Sequence, residues 1–257
     1  MRRPPIALTA IRGLFVGLCE GFPHPAGRSG GLVEEGQGVL ELEGGDQVVE
    51  FAEARTEQLL QRFGMEAHPL LNAHVAVFQF TPDFLRIAPN NRIPAIVDQA
   101  PADGGEPISI FESGAILLYL AEKTGKLLPK DPAARYETIQ WVFFQMAAIG
   151  PMFGQLGFFL RWGGKDYEDK RPQQRFADES KRLLGILDRQ LDGREWIVDD
   201  YSIADIATLG WVNALTGMYD ASELVGVDAY SNVQIWLERG LARPAVQRGL
   251  NIPARPA

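Results

Sequence analysis

At 257 residues, 46% of them hydrophobic and 23% charged, the chain can hold one large domain or two modest ones, each with a core of its own. A formal charge of −8 argues against a nucleic-acid or anionic-membrane surface and leaves room only for a local basic pocket on an acidic ligand. The single cysteine, Cys19, excludes internal disulfides, a Cys-x-x-Cys redox pair and a thiolate zinc cage, and it suits a reducing cytoplasm.

The opening "MRRPPIALTAIRGLFVGLCEG" is basic and then apolar, as a secretory signal is. Arg12 interrupts the apolar part and no small-x-small cleavage site follows, so secretion is not expected. Over residues 1–49, glycine-rich pieces such as "PAGRSGG" and "EEGQG" separate short apolar runs, and no helical period persists. This segment is poorly specified. Residues 50–64 read as an amphipathic helix ended by Gly64, with Pro69 beyond, and residues 71–78 read as a strand.

In "NNRIPAIVD" a proline stands at the head of a short apolar run. Proline gives a sheet no N–H, so within strands it is confined to edges, bulges or the first position, which Pro94 fits. The bond before it is either a trans strand start or a cis peptide. In the cis form the main chain of Ile93 would face outward, able to pair with an extended peptide. Residues 95–98 and "ISIF" (108–111), joined by the turn-rich "QAPADGGEP", read as an antiparallel hairpin. "ESGAILLYLAEKTGKLLP" then reads as a helix stopped by Gly125 and Pro129. Its start admits two readings. Ser109-x-x-Glu112 fits a capping box, whereas Glu112 and Ser113 with the free N–H groups of the first turn form a seat for a carboxylate or phosphate.

Asp131-Pro132 marks a boundary, as a helix N-cap followed by a first-turn proline. Beyond it the pattern is helical almost to the end, which divides the folded part into an α/β unit over 50–128 and an all-helical unit over 132–257. The uncharged run 141–160, "WVFFQMAAIGPMFGQLGFFL", has membrane-helix length. Gly150-Pro151 breaks it in the middle, and a buried, kinked helix of a helical domain is expected instead. Ser202, three residues before Asp205, predicts a structural capping box. His24, His68 and His74 lack ligand spacing, so no metal site is expected.

The segments "TPDFLRIAPNNRIPAIVD", "ISIFESGAILLYLAEKTGKLLP", "IQWVFFQMAAIGPMFGQ" and "YSIADIATLGWVNA" resemble, in order, the bacterial glutathione transferases of the nu class, and most nearly its disulfide-bond-reductase branch. The resemblance runs from about Gln79 to Pro253. It implies an α+β fold in which a thioredoxin-like N-terminal domain precedes an all-helical C-terminal domain, and a cytoplasmic homodimer with glutathione as co-substrate. It implies further that Ile93 pairs through its main chain with the cysteinyl part of glutathione beside a cis Pro94. Glu112 and Ser113 would hold the γ-glutamyl end, Gln79 would contact the peptide through its amide, and Arg175 would reach a glutathione carboxylate from the helical half. From the residues alone, Arg175 equally suits a surface ion pair with Asp178 or Glu179.

One departure stands out. The class orients the glutathione sulfur with a Thr-Pro-Asn turn near its start, and no Thr-Pro-Asn occurs here. The nearest wording is "FPHPAGR", with His24 and Ala26 in those places; a rival alignment instead runs the first helix over residues 50–63. No residue is therefore assigned to activating the sulfur, and Cys19 is either a nucleophile or an inert apolar side chain. The expected function is transfer or thiol–disulfide exchange through the thiol of bound glutathione, on small electrophiles, peroxides or disulfides, with 149–162 as an apolar wall for the second substrate. The alternative is a glutathione-binding or structural homologue without turnover.

Overall fold

The computed structural model describes residues 40–42, 81–98 and 101–250. The helix expected over 50–64, the strand expected over 71–78, and Cys19, His24, His68, His74 and Gln79 lie outside the described residues.

The sheet has three strands in the order β1 (Leu40–Leu42), β2 (Ala95–Asp98), β3 (Ile108–Phe111). β2 and β3 are the expected antiparallel hairpin, with Ala95 opposite Phe111 and Asp98 opposite Ile108. β1 runs parallel to β2 along its other side, so the chain before residue 49 contributes to this sheet. Ahead of β2, the short helix α1 (Pro82–Ile87) starts at Thr81, whose Oγ1 accepts the Phe84 N–H at 3.3 Å, with Pro82 at the first helical position. Phe84, fully buried, packs with Ala88 and Ala95 under Ile87, Ile93 and Phe111. That small cluster fixes the loop leading into β2.

Helix α2 (Ser113–Thr124) follows β3 directly and turns Ile116, Leu117, Leu120 and Ala121 into the core. It ends at Gly125, whose φ of 67° is the left-handed conformation that glycine adopts without penalty. Asp131 caps α3 (Pro132–Phe144) as expected, its Oδ1 accepting the Ala134 N–H at 3.0 Å. An ion pair from Arg135 to Glu122 joins α2 to α3.

The helical run Pro132–Arg161 is long and apolar enough to cross a membrane by length and composition, yet it packs within the helical bundle. Its interruption is not a break at Gly150-Pro151. The chain makes one turn of π-helix, Gln145–Ile149, and continues as α4 (Gly150–Arg161), so the widened turn lies directly ahead of Pro151, the residue with no N–H to give. α4 packs against α5 (Arg171–Gln190). α6 (Ile203–Asn213) is buried along nearly its whole length and crosses α8 (Ser231–Leu241) at Gly240. A Cβ on Gly240 would lie 2.1 Å from Leu209 Cδ1, so the close helix approach depends on that glycine. α7 (Ser222–Val225) and α9 (Pro244–Leu250) complete the bundle.

The expected box at Ser202 is present and complete. Asp205, fully buried, accepts from the N–H groups of Ser202 at 2.9 Å and Ile197 at 3.0 Å and from Trp236 Nε1 at 2.9 Å. Burial is the largest influence on its carboxyl and raises its pKa from 3.8 to about 6, against the lowering effect of those hydrogen bonds.

Candidate functional site

At one end of the hairpin the strand register brings together two stretches that are far apart in sequence. Ala95 pairs with Phe111, the last pair of the ladder, so Pro94 and Glu112 lie directly beyond it on the two strands. The Ile93–Pro94 bond is cis. Among the described residues, the N–H and C=O of Ile93 take part in no backbone hydrogen bond outside the helices and strands.

Across from it, the start of α2 is built unlike an ordinary capped helix. Glu112, the N-cap residue, has φ 70° and ψ 122°, uncommon for a residue with a Cβ, and gives no side-chain cap. The capping-box reading therefore fails. Ser109 sits inside β3, paired with Val97, too far back along the strand to cap the helix. The first helical bond runs from Ile116 N–H to Glu112 C=O at 3.0 Å, so the N–H groups of Ser113, Gly114 and Ala115 precede it. Uncapped N–H groups and the positive end of a three-turn helix come together here, with the Ser113 hydroxyl beside them. That arrangement suits an anion, with the exposed Glu112 carboxylate beside it to meet a cation.

The opposite wall belongs to the helical half. Ser113 Oγ donates to Met146 Sδ at 3.5 Å, across 33 residues of sequence. A Cβ on Gly114 would sit 3.1 Å from Met146 Cγ and 3.4 Å from Val142 Cγ1, so the π-turn lies flush on the first turn of α2. In the same turn Gln145 is only 2% exposed. Its Oε1 has no hydrogen-bond partner among the described residues, and its amide packs against Gly150.

Arg175 is exposed near the start of α5 and enters no ion pair among the described residues. The partners that sequence reasoning offered it are otherwise engaged: Glu179 pairs with Arg182 at 2.7 Å, and Asp178 faces Lys181 at 3.7 Å and Gln174 at 2.8 Å. The surface-pair reading of Arg175 thus finds no support, although its charge helps to lower the Glu179 carboxyl after the larger effect of Arg182. The strand register that joins Ile93, Pro94, Glu112 and Ser113 does not extend to Arg175, which stands on a different element.

Along the wall expected over 149–162, Phe153 and Leu156 are fully buried in the core and closed to a ligand. Phe158 and Phe159 are half-buried instead. They join Tyr167 and Phe176 in a ring cluster, with Phe159 stacked on Phe176 at 5.7 Å. Sequence reasoning also passed over a buried carboxylate at the far end of β2. Asp98, fully buried, accepts from Tyr119 Oη and Lys123 Nζ, both at 2.5 Å. The two donors are four residues apart on α2, the only trace this cluster leaves in the sequence. Burial, and then Asp98, push the Tyr119 phenol well above its ordinary range. The described residues hold no group of three or more His, Cys, Asp or Glu side chains able to bind a metal.

The family model "Glutathione S-transferase, N-terminal domain" matches residues 49–122. Disulfide-bond oxidoreductase YfcG of Escherichia coli is 45% identical over 179 residues, 67% of this chain and 77% of that protein. Disulfide-bond oxidoreductase YghU of the same organism is 41% identical over 174 residues, 66% of this chain and 59% of YghU. Among solved structures, a glutathione transferase of Burkholderia graminis, with two glutathione molecules bound per subunit, is 56% identical, with a TM-score of 0.68 over 77% of this chain and 82% of that one. One from Pseudomonas putida, with one glutathione disulfide bound per subunit, is 53% identical, with a TM-score of 0.69 over 76% and 85% of the two chains. The thioredoxin-like sheet with its helical partner and the identity spread over both halves lead to one conclusion: the chain belongs to the glutathione S-transferase family.

Proposed function

We propose that the protein is a glutathione-dependent transferase and thiol–disulfide oxidoreductase that uses the sulfur of bound glutathione on small electrophiles, peroxides or disulfides. The observation that carries this reading is the meeting of the Ile93–Pro94 main chain with the uncapped start of α2. An extended γ-glutamyl peptide has an amide backbone for Ile93 and an α-carboxylate and α-ammonium for Ser113 and Glu112. Arg175, unpaired on its helix, reaches a glutathione carboxylate, for which its planar fork is suited. Gln79 contacts the peptide through its amide. Two relatives named as disulfide-bond oxidoreductases and a neighbour holding glutathione disulfide favour the thiol–disulfide branch of the reading. In that branch glutathione supplies both sulfurs, which agrees with a chain that carries a single cysteine.

The protein works as a cytoplasmic homodimer in this reading. Tyr136 and Phe143, seven residues apart on α3 and 65% and 64% exposed, present an uncharged aromatic face suited to a second subunit. The second reading, binding without turnover, has its own support in the missing Thr-Pro-Asn turn. Reduction of a small dialkyl disulfide by glutathione, followed at catalytic protein concentration, tests the two. Turnover that survives Cys19→Ala and falls with Ser113→Ala supports the enzyme. Retention on immobilised glutathione with no turnover on disulfide, peroxide or electrophile selects the binding protein. Absence of both retention and turnover removes the glutathione reading altogether.

A further inference from the structure

Resting on that reading, we infer that Met146 is a positioning residue that sets how available Ser113 is to glutathione, and that its oxidation state makes this adjustable. Three features lead there. The Ser113 hydroxyl has one proton to donate, and it is directed at Met146 Sδ, 3.5 Å away. The Met146 side chain lies against Gly114, where a Cβ would come within 3.3 Å of Sδ itself, so the sulfur packs directly on the first turn of α2. The turn carrying Met146 is the π-turn, which places this side chain on the face toward α2.

A ligand carboxylate arriving at the start of α2 must take the Ser113 proton away from the sulfur. A thioether is a weak acceptor and gives it up at little cost. A sulfoxide is a strong one. Met146 is half-buried, not sealed in the core, and a small hydroperoxide is the oxidant proposed for its sulfur. In the oxidation the O–O bond of the hydroperoxide breaks, an S–O bond forms, the sulfur loses two electrons, and the hydroperoxide leaves as an alcohol or water. The new sulfoxide oxygen then holds the Ser113 hydroxyl, and the glutathione seat keeps its main-chain N–H groups but loses its hydroxyl donor. A peroxide-rich environment thereby weakens binding at a site whose proposed substrates include peroxides.

Calorimetric titration of the full-length protein with glutathione tests this in a double-mutant cycle. Met146→Leu keeps the volume and removes the acceptor; Met146→Gln supplies a stronger one. On the Ser113 background, Kd is expected to fall about twofold for Leu and rise about fivefold for Gln, from the spread of single hydrogen-bond contributions. Hydrogen peroxide treatment, with sulfoxide at position 146 confirmed by mass spectrometry, is expected to reproduce the Gln result and to leave Met146→Leu unchanged. On a Ser113→Ala background, titrated at higher glutathione concentration, all these differences are expected to vanish. Equal shifts on both backgrounds, or no shift on either, overturn the role of Met146 while leaving the glutathione site standing. Failure of the unaltered protein to bind glutathione at all overturns the underlying reading instead. Thermal melting of each variant separates a Leu or Gln protein that fails to fold, and Met146→Ile, also without an acceptor, then replaces Leu in the cycle.

Discussion

Two helices in this molecule begin with a serine and an acidic residue, and they do opposite things with them. At the start of α6, Ser202 and Asp205 turn inward: the carboxylate accepts from two main-chain N–H groups and an indole, and the whole arrangement is buried. At the start of α2, Glu112 and Ser113 cap nothing. The glutamate is exposed at a positive φ, and the serine leans on a sulfur. A saturated helix start is a structural joint. An unsaturated one keeps its donors for something that arrives from outside.

Breaking the joint should cost most. Asp205→Ala leaves three buried donors without an acceptor, and we expect a loss of about 4 kcal/mol in denaturant unfolding with little change in m. The same residue titrates. Its pKa of about 6 lies above the ordinary 3.8, so the folded state binds the proton more tightly than the unfolded one. The stability this adds is complete below the ordinary value and is lost as pH rises through the folded one. Unfolding measured at several pH values should therefore show the advantage of the unaltered protein over Asp205→Asn narrowing between about pH 4 and pH 7. A widening gap would contradict the burial argument.

At the other helix start the effects move from stability to binding. Ser113→Ala removes one contact to a thioether from the fold, so its melting temperature should stay close to that of the parent. Its Kd for glutathione should rise roughly thirtyfold, the worth of a hydrogen bond to a charged group at about 2 kcal/mol. Glu112→Gly is the smallest and most diagnostic change. Glycine adopts φ 70° freely, so relief of backbone strain against the added chain entropy should stabilise the fold by about 0.5 kcal/mol. Affinity for glutathione should fall at the same time. A glycine variant that is both less stable and equally tight in binding would mean that the glutamate is a structural cap after all.

Local grammar accounts for what the sequence revealed. The hairpin, the Asp131 cap, the Ser202 box and the glycine stop at Gly125 each depend on residues within a few positions of one another, and all appear in the structure. The same grammar misled at Ser109-x-x-Glu112, because the spacing matched a box while the strand continued through Ser109. The pattern left the box and the seat as equal readings there, and the resemblance tipped the balance toward the seat. Contacts over long separations left almost no signal. Met146 meets Ser113 across 33 positions, and nothing near either residue announces it. Asp98 under Tyr119 and Lys123 reads from sequence as an ordinary strand end. The short helix after Thr81 escaped notice because six residues carry too little period to detect.

The turn of π-helix at Gln145–Ile149 has a bearing on how this protein tolerates change in length. Each residue of an α-helix advances its side chains by roughly 100° around the axis, so the widened turn resets the phase between α3 and α4. Upstream of it, phase aims Tyr136 and Phe143 outward; downstream, it aims Phe153 and Leu156 inward. Removing one residue there would leave a continuous α-helix, short of a hydrogen bond only at Pro151, whose second half is rotated out of its socket. Residue count in this turn, more than residue identity, is what keeps the two halves of the long rod facing their separate neighbours.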